Sequence, residues 1–95
     1  MVRVVATSSV KEGCQDQFVQ AMQALVKSTN ELDAGCISYE LFRDLKNPLQ
    51  FAMIEMWESQ EDLDNHLASA HFKEIIPSVR DYVSAPTEIA TYEKV

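Results

Sequence analysis

The side chains that could transfer protons are concentrated between Glu55 and Lys73, where both histidines and the only tryptophan of the chain occur. An imidazole with an ordinary pKa near 6.5 accepts a proton at neutral pH, so His66 and His71 are the candidate general bases. Asp62 lies one helical turn before His66, and from the same helix face its carboxylate could orient the ring. The alternatives are a surface ion pair for His66 and a helix cap for His71.

Further side chains in and near this segment could bind a small molecule. Glu55 shares a strand face with Trp57, and a carboxylate there costs free energy unless it is paired or acts on a substrate. Trp57 is either the wall of a pocket or part of the core. Tyr39 either donates its hydroxyl to a substrate oxygen or simply packs. The same interpretation assigns two phenylalanines to the substrate pocket, Phe51 and Phe72.

The spacing of the two histidines argues against a metal site. Five residues on one continuous helix place two side chains about 140° apart, so His66 and His71 converge only if the helix breaks near Ser69. The chain also lacks the residue patterns of a zinc site, a phosphate-binding glycine loop, a nucleophile elbow and a dinucleotide fingerprint. We therefore expect no metal ion and no bound cofactor.

The charge and length of the chain exclude other classes of partner. Its 8 basic and 15 acidic residues give a net charge of −7, which argues against binding nucleic acid or an anionic membrane. The longest apolar run is the four residues Phe51–Ile54, whereas a membrane helix needs about 20. The 95 residues predict one domain, 1–95. Two thiols without a signal-peptide pattern point to the cytoplasm.

A long helix is predicted between the only two glycines, Gly13 and Gly35. Apolar residues recur there at the helical spacing of three and four, and Gly35 is suited to end the helix in a left-handed conformation. The recurring positions are Phe18, Ala21, Met22, Leu25, Val26, Thr29 and Leu32.

Four strands and a second helix complete the predicted order β-α-β-β-α-β, the split βαβ arrangement of an α+β, ferredoxin-like fold with an antiparallel sheet. Ser59 and Asp62 resemble a capping box at the start of the second helix, which we expect to be interrupted near Ser69 and stopped by Pro77. The predicted strands are Val2 to Val10, Cys36 to Arg43, Leu49 to Trp57 and Thr87 to Glu93.

Both faces of the central strands carry apolar side chains. The third strand places Met53 and Trp57 on one face and Ile54 and Met56 on the other. The second strand places Ile37, Tyr39 and Leu41 opposite Cys36 and Phe42. Because helices cover only one face of such a sheet, the other would be an exposed apolar patch, and we expect a homodimer joined sheet to sheet.

Three segments in this order resemble the antibiotic biosynthesis monooxygenase (ABM) family over nearly the whole chain. They are Gly35-Cys36-Ile37-Ser38-Tyr39-Glu40-Leu41, the E-x-W-x-S pattern of Glu55–Ser59, and the H-x-x-S-x-H-F pattern of His66–Phe72. The resemblance implies a dimeric α/β barrel with an apolar pocket between helices and sheet. It also implies oxidation of quinol-like aromatics by dioxygen without metal or flavin.

The resemblance leaves several branches of the family open. Members that degrade haem carry an iron-ligating histidine where this chain has Ile76, and an asparagine near Thr7, so haem degradation is disfavoured. Polyketide-quinol oxygenases carry polar pocket residues where this chain has Met53 and Leu63. A third branch processes a small phosphorylated dione and shares the His71-Phe72-Lys73 segment.

The sequence therefore predicts a cofactor-independent monooxygenase that acts on a phenolic or quinol-like molecule. An isomerase that uses the same base for enolisation is the alternative enzyme. The alternative outside enzymes is a non-catalytic, small-molecule-binding stress-response dimer.

Overall fold

The computed structural model describes all 95 residues as one α+β unit. Three α-helices pack on one side of a four-stranded sheet, where the sequence predicts two helices with the second interrupted. The elements are β1 (Val2–Ser9), α1 (Gln15–Leu32), β2 (Cys36–Arg43), β3 (Gln50–Trp57), α2 (Gln60–Leu67), α3 (Ala70–Val79), a short 3-10 helix (Arg80–Tyr82) and β4 (Glu88–Glu93). No helix combines the length and the hydrophobicity needed to cross a membrane.

The sheet is antiparallel throughout, with the strand order β2-β3-β1-β4 of a ferredoxin-like fold. β1 lies between β3 and β4, with Val4 opposite Glu55 on one side and opposite Thr91 on the other. Three strands are one residue shorter than predicted at one end. At the end of β1, Val10 makes only an isolated bridge to Val83.

α1 buries the stripe that its sequence predicts. Phe18, Met22, Leu25 and Thr29 are buried, and the helix packs against β2 and α3. The chain then leaves the helix through Asp33, whose backbone N–H still bonds to the carbonyl of Thr29. Gly35 has a φ of 78°, but it lies two residues beyond this extended cap, so its left-handed conformation belongs to the turn into β2 and does not end the helix as predicted.

The second helical region is two helices separated by a capped break. Ser59 caps α2 by accepting a hydrogen bond from the backbone N–H of Asp62, and Ser69 caps α3 by accepting from that of Phe72. The predicted interruption near Ser69 is therefore present.

The prediction that Pro77 stops this region is wrong, because α3 continues to Val79. Proline at this position removes one backbone hydrogen bond near the end of the helix. The residues around it, Ile75, Ile76 and Val79, pack on the core, and this burial offsets the lost bond.

The two faces of the sheet differ because a β-bulge shifts the start of β2. On β3, Met53 and Trp57 are buried beneath the helices, whereas Ile54 and Met56 lie on the opposite, open face. The register slips between Cys36 and Ser38, so Cys36 pairs with Trp57 and packs against the core. The prediction that Ile37 shares the face of Tyr39 is wrong, since the extra residue of the bulge is Ile37 and its side chain is 44% exposed.

Candidate functional site

A cavity of about 770 Å³ lies between the covered face of the sheet and the three helices. Of its 24 lining residues, 15 are hydrophobic, and they come from every helix and every strand. The segment 83–87 borders it beside β4. A mostly apolar cavity of this size with a few polar side chains is typical of small-molecule sites.

His66 is the most deeply buried polar side chain of the cavity wall, with 2% of its surface exposed. Its Nδ1 donates a hydrogen bond of 2.6 Å to the carboxylate of Asp33. The ring packs against Tyr39, Trp57 and Phe72 at centroid distances of 4.8 to 5.1 Å. The bond to Asp33 selects the tautomer with the proton on Nδ1, so Nε2 carries the free lone pair.

The Nε2 atom of His66 makes no hydrogen bond within the chain. The only fully enclosed side-chain polar atom without a partner is the hydroxyl oxygen of Thr29, so Nε2 is not sealed in the core. Since His66 lines the cavity, this lone pair can reach a bound molecule. The arrangement is that of a general base whose other nitrogen is held by a carboxylate.

Asp33 connects three elements at the back of the site. It lies at the end of α1 and accepts hydrogen bonds from His66 on α2 and, at 3.0 Å, from Nε2 of His71 on α3. The hydroxyl of Ser69 contacts His71 Nε2 at 3.1 Å and donates to the carbonyl of His66 at 2.6 Å. The break between α2 and α3 therefore brings the two histidines to one carboxylate.

The prediction that Asp62 orients His66 is wrong. One oxygen of the Asp62 carboxylate accepts a hydrogen bond of 2.9 Å from the hydroxyl of Ser59, within the cap of α2. The same carboxylate lies against Gly35, where a β-carbon would clash with it. Asp62 therefore fixes the start of the helix, and Asp33 takes the position beside the imidazole.

Burial and charge act in opposite directions on the imidazole of His66. Burial disfavours the charged imidazolium and lowers its pKa below the ordinary 6.5. The carboxylate of Asp33 opposes this shift, both through its hydrogen bond and through its charge. Because burial is the larger effect, His66 is neutral, and able to accept a proton, at neutral pH.

Glu55 and Tyr39 form a directly opposed pair on β3 and β2, and both line the cavity. Oε1 of Glu55 accepts a hydrogen bond of 3.0 Å from Nε1 of Trp57. Burial raises the pKa of the Glu55 carboxyl group from 4.5 to about 7, although the Trp57 bond partly opposes this. Burial also raises the pKa of Tyr39 far above its ordinary value, which keeps its hydroxyl protonated.

The structure separates the predicted site residues into two groups. Tyr39, Phe51, Glu55, His66 and Phe72 line the cavity. The other three, Trp57, His71 and Asp62, do not. Trp57 is fully buried behind Glu55 and His66, so the expectation of direct contact with a substrate is not met for it. His71 also contacts Asp33, and its ring centroid lies 6.2 Å from that of His66, but it does not line the cavity.

Two features of the site are absent from the sequence interpretation. Asp33 lies 33 residues from His66, and no local spacing links the two. The one available signal is that Asp33 closely precedes Gly35, at the point where the chain must turn back towards the sheet. Arg80 is the only lysine or arginine that lines the cavity, and it has no carboxylate partner within the chain.

Asp33, His66 and His71 offer three ligand atoms within 4.8 Å of one another, and three such ligands could hold a metal ion. Two ligands of a tetrahedral zinc ion stand about 3.3 Å apart, given bond lengths near 2.0 Å. The contacts of Asp33 with the histidines are 2.6 and 3.0 Å long. These are hydrogen-bond lengths, so the cluster fits a hydrogen-bonded network more closely than a coordination sphere.

Comparison with known proteins agrees with this architecture. A family model described as antibiotic biosynthesis monooxygenase (ABM) matches residues 1–78. The chain belongs to this family. The resemblance inferred from the three sequence segments is thereby confirmed, and so is the ferredoxin-like fold.

Three similar proteins illustrate the spread of the ABM family. A Bacillus subtilis (strain 168) protein described as "Putative monooxygenase YcnE" is 26% identical over 93 residues, which are 98% of this chain and 97% of that protein. A conserved protein from Methanosarcina mazei Go1 is 36% identical, with a TM-score of 0.95 over 99% of this chain and 92% of its own. A crystal structure described as an antibiotic biosynthesis monooxygenase is 28% identical, with a TM-score of 0.93 over 100% of this chain and 99% of its own.

Proposed function

We propose that this ABM protein is a cofactor-independent monooxygenase that oxidises a phenolic or quinol-like molecule with dioxygen. The observation that carries the proposal is the Asp33–His66 pair at the wall of an apolar cavity. A neutral imidazole with a free Nε2 is suited to removing a proton from a weakly acidic hydroxyl group. The family membership and the YcnE description support a monooxygenase in general.

In the proposed reaction, Nε2 of His66 takes the proton of a substrate hydroxyl, and the anion delocalises its charge onto a ring carbon. That carbanion passes one electron to dioxygen, and recombination of the two radicals forms a carbon–oxygen bond as a peroxide. The imidazolium returns its proton to the peroxide, and His66 then removes the hydrogen of the ring carbon as a proton while the O–O bond breaks. One oxygen atom stays on that carbon as a carbonyl, and the other leaves as hydroxide and takes the second proton from His66 to become water. Asp33 stabilises the imidazolium that forms in the first step.

The remaining lining residues serve binding in this proposal. Phe51 and Phe72 contribute aromatic surface to the cavity, and the Tyr39 hydroxyl can donate to a substrate oxygen. The apolar walls exclude water from the reactive anion and admit dioxygen, which is itself apolar. We further propose that the working form is a homodimer, which closes the open face of the sheet.

Oxygen uptake with a panel of naphthoquinols tests the proposal. His66→Asn should lower turnover by about 10² to 10⁴, the usual cost of removing a general base, with little change in thermal stability. His71→Asn should retain more activity, because His71 contacts Asp33 and does not line the cavity. Activity of the unchanged protein should fall at a pH below 6.5, because burial lowers the pKa of His66 and the imidazole is protonated only below that lowered value.

Two aspartate variants provide a matched comparison. Asp33→Asn should reduce turnover, since an amide cannot stabilise the imidazolium, whereas Asp62→Asn should leave turnover near that of the unchanged protein. Full turnover in both His66→Asn and His71→Asn would refute the base mechanism. Proton exchange at a substrate carbon without oxygen uptake would favour the isomerase, and ligand binding without either reaction would favour a binding protein.

A further inference from the structure

Glu55 is a buried carboxyl group that the base mechanism does not use. It is 5% exposed, it lines the cavity, and it forms no ion pair with any lysine, arginine or histidine. A charged carboxylate in such surroundings is costly, whereas the protonated acid is not. The position therefore calls for a neutral carboxyl group or for a ligand that compensates the charge.

The two oxygen atoms of Glu55 have different environments. Oε1 accepts the hydrogen bond of the Trp57 indole N–H, which fixes the carboxyl group against the strand. Oε2 has no hydrogen-bond partner within the chain and is not among the fully enclosed atoms. Since Glu55 lines the cavity, the second oxygen is available to a bound molecule.

No cation faces Glu55 from the elements packed around it. β2 presents Tyr39 and Cys36, whose thiol also lies near Asp33 at the end of α1, and α2 presents His66. On β1 the opposite residue is Val4, which is apolar. Arg80 lines the same cavity without pairing with Glu55. The surroundings thus favour the protonated acid, whose Oε2–H is a hydrogen-bond donor.

We propose that Glu55 works as a neutral carboxylic acid that donates a hydrogen bond to a carbonyl oxygen of the substrate while His66 removes the hydroxyl proton. The proposal rests on the proposed function and adds a substrate class, aromatic molecules that carry a ketone oxygen beside the acidic group. No bond is made or broken at Glu55. Its hydrogen bond stabilises the negative charge that the anion delocalises onto the carbonyl oxygen.

Binding of 1-tetralone, compared with tetralin, tests this role without any need for turnover. The two probes have the same ring skeleton, and only 1-tetralone has a carbonyl oxygen. Because burial sets the pKa of Glu55 at about 7, the affinity for 1-tetralone should fall about twentyfold between pH 6.5 and 8.5. Tetralin affinity should not change over this range, and calorimetric titration measures both.

The titratable side chains of β2 and α2 that face Glu55 are mostly neutral between pH 6.5 and 8.5. Burial raises the pKa of Cys36 to about 11 and that of Tyr39 further above its ordinary value, so both stay protonated. Burial lowers the pKa of His66 below 6.5, so its neutral form predominates over this range. A change in 1-tetralone affinity over this range therefore reports on Glu55.

Two variants complete the test. Glu55→Gln keeps a hydrogen-bond donor but does not titrate, so it should bind 1-tetralone with an affinity independent of pH. Glu58→Gln, a change at an exposed neighbouring glutamate, should keep the pH dependence of the unchanged protein. An infrared carbonyl band of a protonated carboxyl group, lost above pH 8 and shifted by 1-tetralone, should be present in the unchanged protein and absent in Glu55→Gln.

A 1-tetralone affinity that is independent of pH in the unchanged protein, or no binding of 1-tetralone at any pH, would overturn this role of Glu55. So would the same pH dependence in Glu55→Gln. Failure of the base mechanism gives a different result. In that case His66→Asn would keep full turnover, while the pH dependence of 1-tetralone binding and its loss in Glu55→Gln would remain.

Discussion

Glu55 and His66 are both held in their neutral forms by burial, and they affect stability in different pH ranges. The pKa of Glu55 is about 7 in the folded chain and 4.5 without burial, so between these values the unfolded chain loses a proton that the folded chain keeps. Stability from this group therefore falls as the pH rises from 4.5 to 7. Burial lowers the pKa of His66, so below pH 6.5 the unfolded chain binds a proton that the folded chain does not. The free energy of unfolding is therefore unaffected by this group above pH 6.5 and falls as the pH drops below that value.

Glu55→Gln should remove the loss of stability between pH 4.5 and 7, because the amide does not titrate. The free energy of unfolding of Glu55→Gln, relative to the unchanged protein, should increase by about 3 kcal/mol from pH 4.5 to pH 7 and then level off. Urea denaturation across this range measures the difference. The exposed Glu58→Gln should show no such trend, and a constant difference for Glu55→Gln would contradict a raised pKa.

Among the elements, the turn from α1 to β2 has the largest influence on the site. It places Asp33 beside both histidines and brings Gly35 against the start of α2. The carbonyl of Gly35 accepts a hydrogen bond of 2.8 Å from the backbone N–H of Glu58, which ties the turn to the end of β3. Three elements thus meet at one glycine that has no room for a side chain.

Gly35→Ala should be more destabilising than Gly13→Ala, although both glycines have positive φ values. At Gly13 a β-carbon meets nothing within 4 Å, so the backbone conformation alone costs about 1 kcal/mol. At Gly35 the added carbon also clashes with the Asp62 carboxylate, and we expect a total of about 2 to 3 kcal/mol. Thermal unfolding compares the two variants, and equal costs would mean that α2 moves aside freely.

At the scale of the whole molecule, one face of the sheet has no covering layer. Its side chains mix a few charges with apolar groups, and Phe42 and Tyr92 are 46% and 56% exposed. The apolar positions of this face are Val5, Phe42, Ala52, Ile54, Met56, Ala90 and Tyr92. A connected apolar surface of this kind marks an interaction site. A second copy of the chain has the same apolar face, and two such faces can cover each other across a twofold axis.

Sedimentation should show a homodimer of about 22 kDa, twice the 10.8 kDa of one chain. Ile54→Lys places a charge at the centre of the open face and should give a monomer, because an unpaired charge buried in an interface is costly. Gln23→Lys adds the same charge on the exposed side of α1 and should remain dimeric. A stable monomer of the unchanged protein at micromolar concentration would contradict the homodimer.

The sequence by itself determined the features that depend on neighbouring residues. Helical periodicity located α1, strand composition located the sheet, and Ser59 marked the start of α2, because each signal is contained within one or two turns of chain. The order and spacing of the three sequence segments also indicated the ABM family. The convergence of His66 and His71 depended on a break near Ser69, which the sequence indicated and the structure contains.

Only the tertiary structure decided which groups meet in the site. Asp62 is the closer carboxylate along the chain, but the cap of α2 engages it with Ser59, and the turn after α1 brings Asp33 to His66 instead. Trp57 shares a strand face with Glu55, yet the helices enclose it completely while Glu55 reaches the cavity. These outcomes follow from how separate elements pack, and sequence spacing carries no information about contacts between residues 33 positions apart.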